Sequence, residues 1–306
     1  MSASKFTVEP GDEGRVDKVL AKHYPSAGRK QLAELFETGD VRLRGKKAKK
    51  GSLVTAGDVI ELSREPISKE ALRPLPDPSI ELEIMLEDAL VIVVNKPAGV
   101  PSQPLKAGEL GTIANALVAR FPECALIGDD PRDGGLVHRL DIGTSGVLAA
   151  ARTPDAYRKM RDAFGKHQVH KEYVAITNGV PVSREMDLPL AQRGNHVVVD
   201  HTDGLNAHTT FMHTEPNAAG THALVRCFAD TGRMHQIRAH LSFANAPLAG
   251  DTLYKGTPIE GHPGFFLHAQ KVHVPNPEDG GAWEMIARVP DRFNAAAEAV
   301  GLPRRH

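Results

Sequence analysis

Nine residues constrain the fold of this chain more than any others: His138-Arg139-Leu140-Asp141-Ile142-Gly143-Thr144-Ser145-Gly146. They set one carboxylate between an arginine and a small, hydroxyl-rich glycine turn. The turn opens straight into five apolar residues, 147–151. An apolar run behind such a turn reads as a buried strand. That strand would anchor the turn and hold Asp141 at its tip, where it can touch another molecule. The neighbouring arginine suits a partner that carries phosphate. The local alternative is an aspartate that ties down its own turn through Thr144 and Ser145.

The chain has 306 residues, enough for a small domain and a large one. No stretch approaches the 18 consecutive apolar residues of a membrane span. The N-terminus lacks a basic segment followed by an apolar one, so no secretory signal is expected. Cys124 and Cys227 lie far apart, which fits a reducing compartment rather than a disulfide framework. A cytoplasmic location is the simplest expectation. Net charge is −1 and the pI about 7.0, which argues mildly against a nucleic-acid partner. The charge is uneven, however. Between Arg15 and Leu62 eleven Lys and Arg face six Asp and Glu.

Residues 13–65 read as a small unit of helices and strands. Val16, Val19 and Leu20 form a helical stripe, and Leu32, Leu35 and Phe36 form a second one that Gly39 can end. Val41 and Leu43 alternate with Arg42 and Arg44 as a half-buried strand would. Residues 45–51 form a basic turn, and 59–62 close the unit. This run resembles an S4 RNA-binding domain. The resemblance rests on Arg15, Asp17 and Leu20, then Arg29 and Lys30, then Gly39, Val41 and Gly45, then Gly57, Asp58 and Ile60. It implies RNA contacts by Arg29, Lys30, Arg42, Arg44, Lys46 and Lys47, and clustered basic residues supply the charge that phosphate needs. The bland alternative is a solvated basic face.

Residues 66–79 are proline-rich without apolar period and read as a linker. The remainder, 80–300, mixes strands at 91–95, 147–151, 172–177, 207–213, 222–228, 271–274 and 284–289 with helices at 112–121, 154–164, 234–243 and 291–299. Because strands and helices do not alternate, an α+β fold is expected: a mostly antiparallel mixed sheet with flanking helices, beside a small α/β N-terminal domain.

Several chemistries can be set aside. His-Arg-Leu-Asp has one residue too many for the kinase catalytic loop, and no D-F-G follows. Gly143 to Gly146 is not the G-x-S-x-G elbow of hydrolases. The 15 histidines miss zinc spacings, and no phosphate-binding glycine loop occurs. Cofactor-free and metal-free chemistry is the expectation. Three further stretches favour a site at Asp141. Gly232 to Leu241 packs Arg233, His235, Gln236, Arg238 and His240 into one short helix, and Arg238 could grip a carboxylate with its two-pronged fork. Tyr173 leads an apolar strand, where the plain alternative is a core aromatic with its hydroxyl satisfied. Gly250 to Gly256, followed by Phe266 to Ala269, could frame a site or merely connect elements.

Taken in order, these stretches resemble the RluA-type RNA pseudouridine synthases over about 200 residues. They comprise Glu87-Asp88 and Asn95 to Gly99, then G-L-V-H-R-L-D-x-x-T-S-G, Lys171 to Tyr173, Ala207 to Thr209, G-R-x-H-Q-I-R-x-H and G-D-x-x-Y. The resemblance implies the pseudouridine synthase fold and isomerisation of uridine in RNA. It implies an essential carboxylate at Asp141, an active-site tyrosine at Tyr173 and a partner arginine at Arg238. Arg139 would displace or hold the target nucleotide, and His138, Thr144, Arg233 and His235 would line the substrate. Three departures stand out: Ile142-Gly143 replaces charged residues, Met234 replaces Thr or Ser, and Lys255 is inserted before Gly256. Ribosomal RNA is the expected substrate, ahead of transfer RNA, and a monomer the expected state. The rivals are a silent RNA-binding assembly factor and a glycosidase-like hydrolase, which would need a second carboxylate.

Overall fold

The computed structural model describes residues 3–229, 231–276, 278–279 and 281–305, without the side chain of Lys30. The chain divides into two compact units. One is Met1–Arg73 with Leu105–Gly108, and the other is Pro74–Pro104 with Glu109–His306.

The first unit has strands β1 (Ser4–Thr7) and β2 (Gly14–Arg15), then helices α1 (Val16–His23) and α2 (Arg29–Thr38). Strands β3 (Val41–Leu43), β4 (Lys46–Lys47), β5 (Leu53–Val54) and β6 (Val59–Leu62) follow. A four-stranded sheet runs β1-β6-β3-β4, and β2 pairs with β5. The two helical stripes bury Val16, Val19, Leu20, Leu32 and Leu35 against Val41, Leu43, Ile60 and Leu62. Gly39 ends α2 with φ of 76°, a conformation that favours glycine. The unit begins earlier than residue 13: β1 pairs with β6 along its whole length. Its Lys5 and Phe6 alternate too briefly to stand out in sequence.

The second unit carries strands β7 (Glu83–Glu87), β8 (Val91–Lys96), β9 (Ser145–Ala151), β10 (Lys171–Asn178), β11 (Glu185–Asp187), β12 (Leu190–Arg193), β13 (His196–Val199), β14 (His208–Pro216), β15 (His222–Ala229), β16 (Leu267–Pro275) and β17 (Ala282–Ile286). Its helices are α3 (Ile113–Arg120), α4 (Pro154–Gly165), α5 (Gln236–Phe243) and α6 (Asp291–Ala299). Nine strands form one sheet in the order β11-β14-β15-β10-β16-β9-β8-β7, with β17 also on β16. Every neighbour pair is antiparallel except β16 with β9. Strands β7, β11, β12 and β13 were not expected from the sequence. They are short and edge-like, and the Gly194-Asn195 turn between β12 and β13 was the available signal.

The apolar run of β8 and β9 is continuous because both faces are covered. Val91, Val93, Val147 and Ala149 pack with Tyr157 and Met160 of α4. Ile92, Val94, Leu148 and Ala150 pack with Ile113 and Leu117 of α3. Around β10, Val174 and Ile176 meet Phe293 and Ala297 of α6, while Ala175 faces Ile237 and Leu241 of α5. Thr112 caps α3 by a reciprocal bond pattern with Asn115, and Thr153 caps α4 ahead of Pro154.

Gly146 allows the parallel pairing that brings β16 beside the turn. Its φ is 115°, and a Cβ there would lie 2.2 Å from the Ala269 carbonyl oxygen. Both terms oppose any side chain. Gly146→Ala is therefore expected to destabilise the protein by about 3 kcal/mol or more, read as a shift in the denaturant midpoint. A change below about 1 kcal/mol would contradict this account.

Candidate active site

The Asp141 turn is pinned from behind. Gly99 N–H donates to the Ile142 carbonyl at 2.7 Å, and Ser102 Oγ accepts from Leu140 N–H at 3.0 Å while donating to the Leu140 carbonyl at 2.8 Å. Lys96, fully buried, donates to the carbonyls of Pro97 (2.9 Å), Val100 (2.6 Å) and Ile142 (3.2 Å). Three acceptors match the three N–H bonds of an ammonium. Burial pulls its pKa down to about 7, against the attraction of Asp141. Lys96 was not singled out from the sequence, although a lysine ending an apolar, doubly covered strand is the signal. Lys96→Met should orphan three carbonyls, cost about 2–4 kcal/mol of stability and slow turnover about 10- to 100-fold. Unchanged turnover by a folded Lys96→Met protein would show that the turn does not need this anchor.

Asp141 faces a pocket of about 580 Å³. Its backbone carbonyl closes the turn by accepting from Thr144 N–H at 3.0 Å, but its carboxylate bonds neither Thr144 nor Ser145. The carboxylate does not serve the turn. Instead Asp141 Oδ2 accepts from Nη1 of Arg238 at 3.1 Å. Thr144 Oγ1 is buried with no hydrogen-bond partner among the described residues, and Ser145 Oγ bonds His268 Nδ1 at 2.9 Å.

Arg238 corrects one expectation. Its two-pronged grip goes to Asp251, through Nε to Oδ2 at 2.7 Å and Nη2 to Oδ1 at 2.9 Å, and only the remaining nitrogen reaches Asp141. The guanidinium also lies over two rings, 5.0 Å from the Tyr254 centroid and 4.5 Å from that of Phe265. Burial opposes the charge, but the carboxylates, Asp251 foremost, outweigh it and hold the Arg238 pKa above its usual value. Asp251 is 2% exposed. It spends both oxygens on Arg238 and is not available as the second carboxylate of a glycosidase. Of the acids in loop 129–133, Asp130 grips Arg132 and Asp133 accepts from Tyr157, which leaves Asp129 as the acid of that loop the hydrolase reading would need.

The position of Gly143 now has a reason. A Cβ there would lie 2.7 Å from the Phe265 ring, the same ring that covers Arg238. Tyr173 sits where a register shift between Glu172 and Tyr173 interrupts the β10–β16 ladder, and it packs against the cores beneath both α3 and α5. Burial, and then the Asp141 charge, raise the pKa of its hydroxyl, so it is neutral at neutral pH. Asp141, Arg238 and Tyr173 all line the one pocket, as do Arg139, His138, Thr144, Arg233 and His235.

A model of the RNA pseudouridylate synthase family matches residues 90–243. The chain belongs to that family. Its reaction is the isomerisation of uridine in RNA to pseudouridine. The chain is 31% identical to the ribosomal large subunit pseudouridine synthase D of Xanthomonas campestris, over 94% of this chain and 88% of the relative. It is 36% identical to the protein of the same name from Xylella fastidiosa, over 82% of this chain and 74% of the relative. Human RNA pseudouridylate synthase domain containing 4 shares the fold, with a TM-score of 0.56 and 23% identity over 72% of this chain and 94% of that one.

Several residues expected to bind substrate have scaffold partners in this synthase. His138 Nε2 accepts from Ala149 N–H at 3.0 Å and its ring stacks on Phe164 at 4.8 Å. Burial lowers its pKa to about 3, so the ring is neutral and is fixed to β9. Arg233 Nε donates to the Asn206 carbonyl at 3.1 Å. Gln236 and His240 are structural: Gln236 Oε1 accepts from Thr231 Oγ1 and Arg233 N–H, and His240 Nδ1 bonds Thr209 Oγ1. Arg139, by contrast, is exposed at the pocket and forms no ion pair with any described residue. Lys255, the inserted residue, takes φ of 68° and ends the turn Thr252–Tyr254 without reaching Asp141.

In the N-terminal unit the register sets Lys47 beside Arg42, Arg42 beside Glu61 and Glu61 beside Lys5, one row across the outer sheet face. Lys46 pairs with Leu43 and so stands off that row. Arg29 opens α2 and is exposed, while the side chain of Lys30 lies outside the described residues. Arg44 is committed locally. It grips Asp58 with both prongs at 2.7 and 2.6 Å, and this holds the Asp58 carboxyl down at about 2. Among the described residues no helix is long and apolar enough to cross a membrane. Among the described residues no group of three or more His, Cys, Asp or Glu side chains could hold a metal ion.

Proposed function

We propose that this protein converts uridine to pseudouridine in ribosomal RNA, with Asp141 as the reacting carboxylate. One observation carries the assignment of Asp141. It is a pocket-facing carboxylate with one oxygen held by a buried arginine and the other, Oδ1, open to a ligand. The ribosomal assignment follows the names of the relatives.

The reaction breaks the N1–C1′ bond, turns the uracil and joins C5 to C1′; the C5 proton then leaves. No atom is gained and no electron is transferred. Asp141 Oδ1 can attack C1′, as the carboxylate of a retaining glycosidase does, or can take the C2′ proton to give a glycal. Tyr173, neutral and at the pocket wall, suits stacking on the uracil, with its hydroxyl near the C5 proton that leaves last. A uridine in folded RNA must leave its stack first. The uncommitted, exposed Arg139 suits the space that the base vacates. The N-terminal unit would track phosphate through Arg42, Lys47 and Arg29, an S4-like role in which Arg44 instead stabilises the turn at Asp58.

The test is proton release from C5-tritiated uridine in separate ribosomal and transfer RNA pools. Release from ribosomal RNA is the expected result. Release from transfer RNA alone would redirect the substrate, and none from either pool would favour a silent assembly factor.

A further inference from the structure

We propose that His235 binds the 2′-hydroxyl of the target ribose and makes the reaction depend on a ribonucleotide at that position. The proposal rests on the reading of Asp141 as the carboxylate that works on the sugar.

The partners on either side of the His235 ring favour one placement of its proton. Val197 N–H donates to Tyr254 Oη at 2.8 Å. That interaction uses an acceptor site of the phenol, so its single proton remains free for His235 Nδ1 at 3.0 Å. With that proton available to Nδ1, and with Nε2 opposite the Asp141 carboxylate, the tautomer that satisfies both ends of the ring carries its proton on Nε2. Burial favours that neutral ring, against the attraction of Asp141. His235 itself is held at φ of 52° as the residue that opens α5.

The protonated Nε2 faces Asp141 Oδ1 across 3.9 Å. That is too long for a hydrogen bond. It is a suitable gap for an oxygen that lies about 2.8 Å from each end. Such an oxygen must accept from Nε2–H and donate to a carboxylate, so on a bound nucleotide it must be a hydroxyl. Asp141 Oδ2 is engaged by Arg238, which leaves Oδ1 as the oxygen for the sugar. Whether Oδ1 attacks C1′ or takes the C2′ proton, the 2′-hydroxyl is the hydroxyl nearest that event. The ring oxygen O4′ fits worse, because it cannot donate. A hydrogen bond to it would also withdraw electrons as positive charge grows at C1′. The uracil carbonyls turn with the base and offer no fixed partner.

The experiment uses a synthetic ribosomal RNA fragment centred on a uridine that the wild-type protein converts. The target is made either as uridine or as 2′-deoxyuridine, and single-turnover rates are compared. We expect the deoxy target to slow the wild-type protein about 30-fold, because a buried donor loses its acceptor. His235→Asn suits the left-handed backbone but is too short to keep the contact. It should slow the ribose substrate about 30-fold and shrink its own deoxy penalty to about threefold or less. His235→Gln, which restores a donor and an acceptor, should bring back about tenfold of the discrimination. Altered reactivity of the deoxy sugar itself is common to all variants and cancels in these ratios. A merely structural role would lower both rates and leave the ratio alone. Equal deoxy penalties in wild type and His235→Asn would overturn the inference while leaving the isomerase reading intact. A wild-type protein that converts no ribosomal uridine would overturn both.

Discussion

Asp141→Asn should reduce tritium release from ribosomal RNA by at least about 1000-fold, the scale of losing a nucleophile or base that makes bonds in the transition state. Asparagine keeps the shape of the side chain and can still accept from Arg238. What it loses is the charge that, on the proposed reading, attacks C1′ or takes the C2′ proton. The fold should survive, because Arg238 remains clamped by Asp251 and the turn is held by Lys96, Ser102 and Gly99 rather than by the carboxylate. The expected stability change is within about 1 kcal/mol. RNA affinity should also hold, with an unchanged salt slope, because no phosphate-binding cation has been removed. Residual activity within tenfold of wild type would remove Asp141 from the chemistry. Unfolding of the variant would restore the view of Asp141 as a turn residue.

The strand and the turn were legible because burial on both faces writes a continuous apolar run, and glycine marks where the run must begin. Helices α3 to α6 were legible to within two residues at each end, since each pairs a helical stripe with a cap or breaker. The network behind Arg238 was not. Spacing indicates that an arginine can grip a carboxylate but not which one. Asp251, thirteen residues along, competes with Asp141 only once the chain has folded. Phe265 has no local signature at all. Its role follows from Gly143, a departure from the family pattern that reads as a loss until the ring occupying that space is seen. Arg44 shows the opposite case. A basic residue on the outward side of a strand looked free for phosphate, yet Asp58 fourteen residues away pairs with it.

The Asp251–Arg238 pair makes a prediction that separates stability from catalysis. Asp251→Ala would leave a guanidinium that is 6% exposed with one bond, to Asp141, and no full counter-charge grip. Breaking a buried pair from one side costs about 3–5 kcal/mol, because the surviving charge is still desolvated. Arg238 would also lose its orientation, and turnover should fall by about 100-fold or more. Removing both charges is a different matter. In Asp251→Leu with Arg238→Met no buried charge is stranded, since Asp141 still faces the pocket, and methionine can pack on the Tyr254 and Phe265 rings that the guanidinium now lies over. Hydrophobic replacement of a buried pair is often neutral or stabilising. The double variant should therefore recover to within about 2 kcal/mol of wild type in urea unfolding while remaining inactive, since Asp141 has lost its partner. This outcome would show that the pair is kept for holding Asp141 rather than for holding the fold. A double variant as unstable as Asp251→Ala would mean that the core beneath α5 needs these charges for its packing, and that the activity lost in the single variant is partly lost fold.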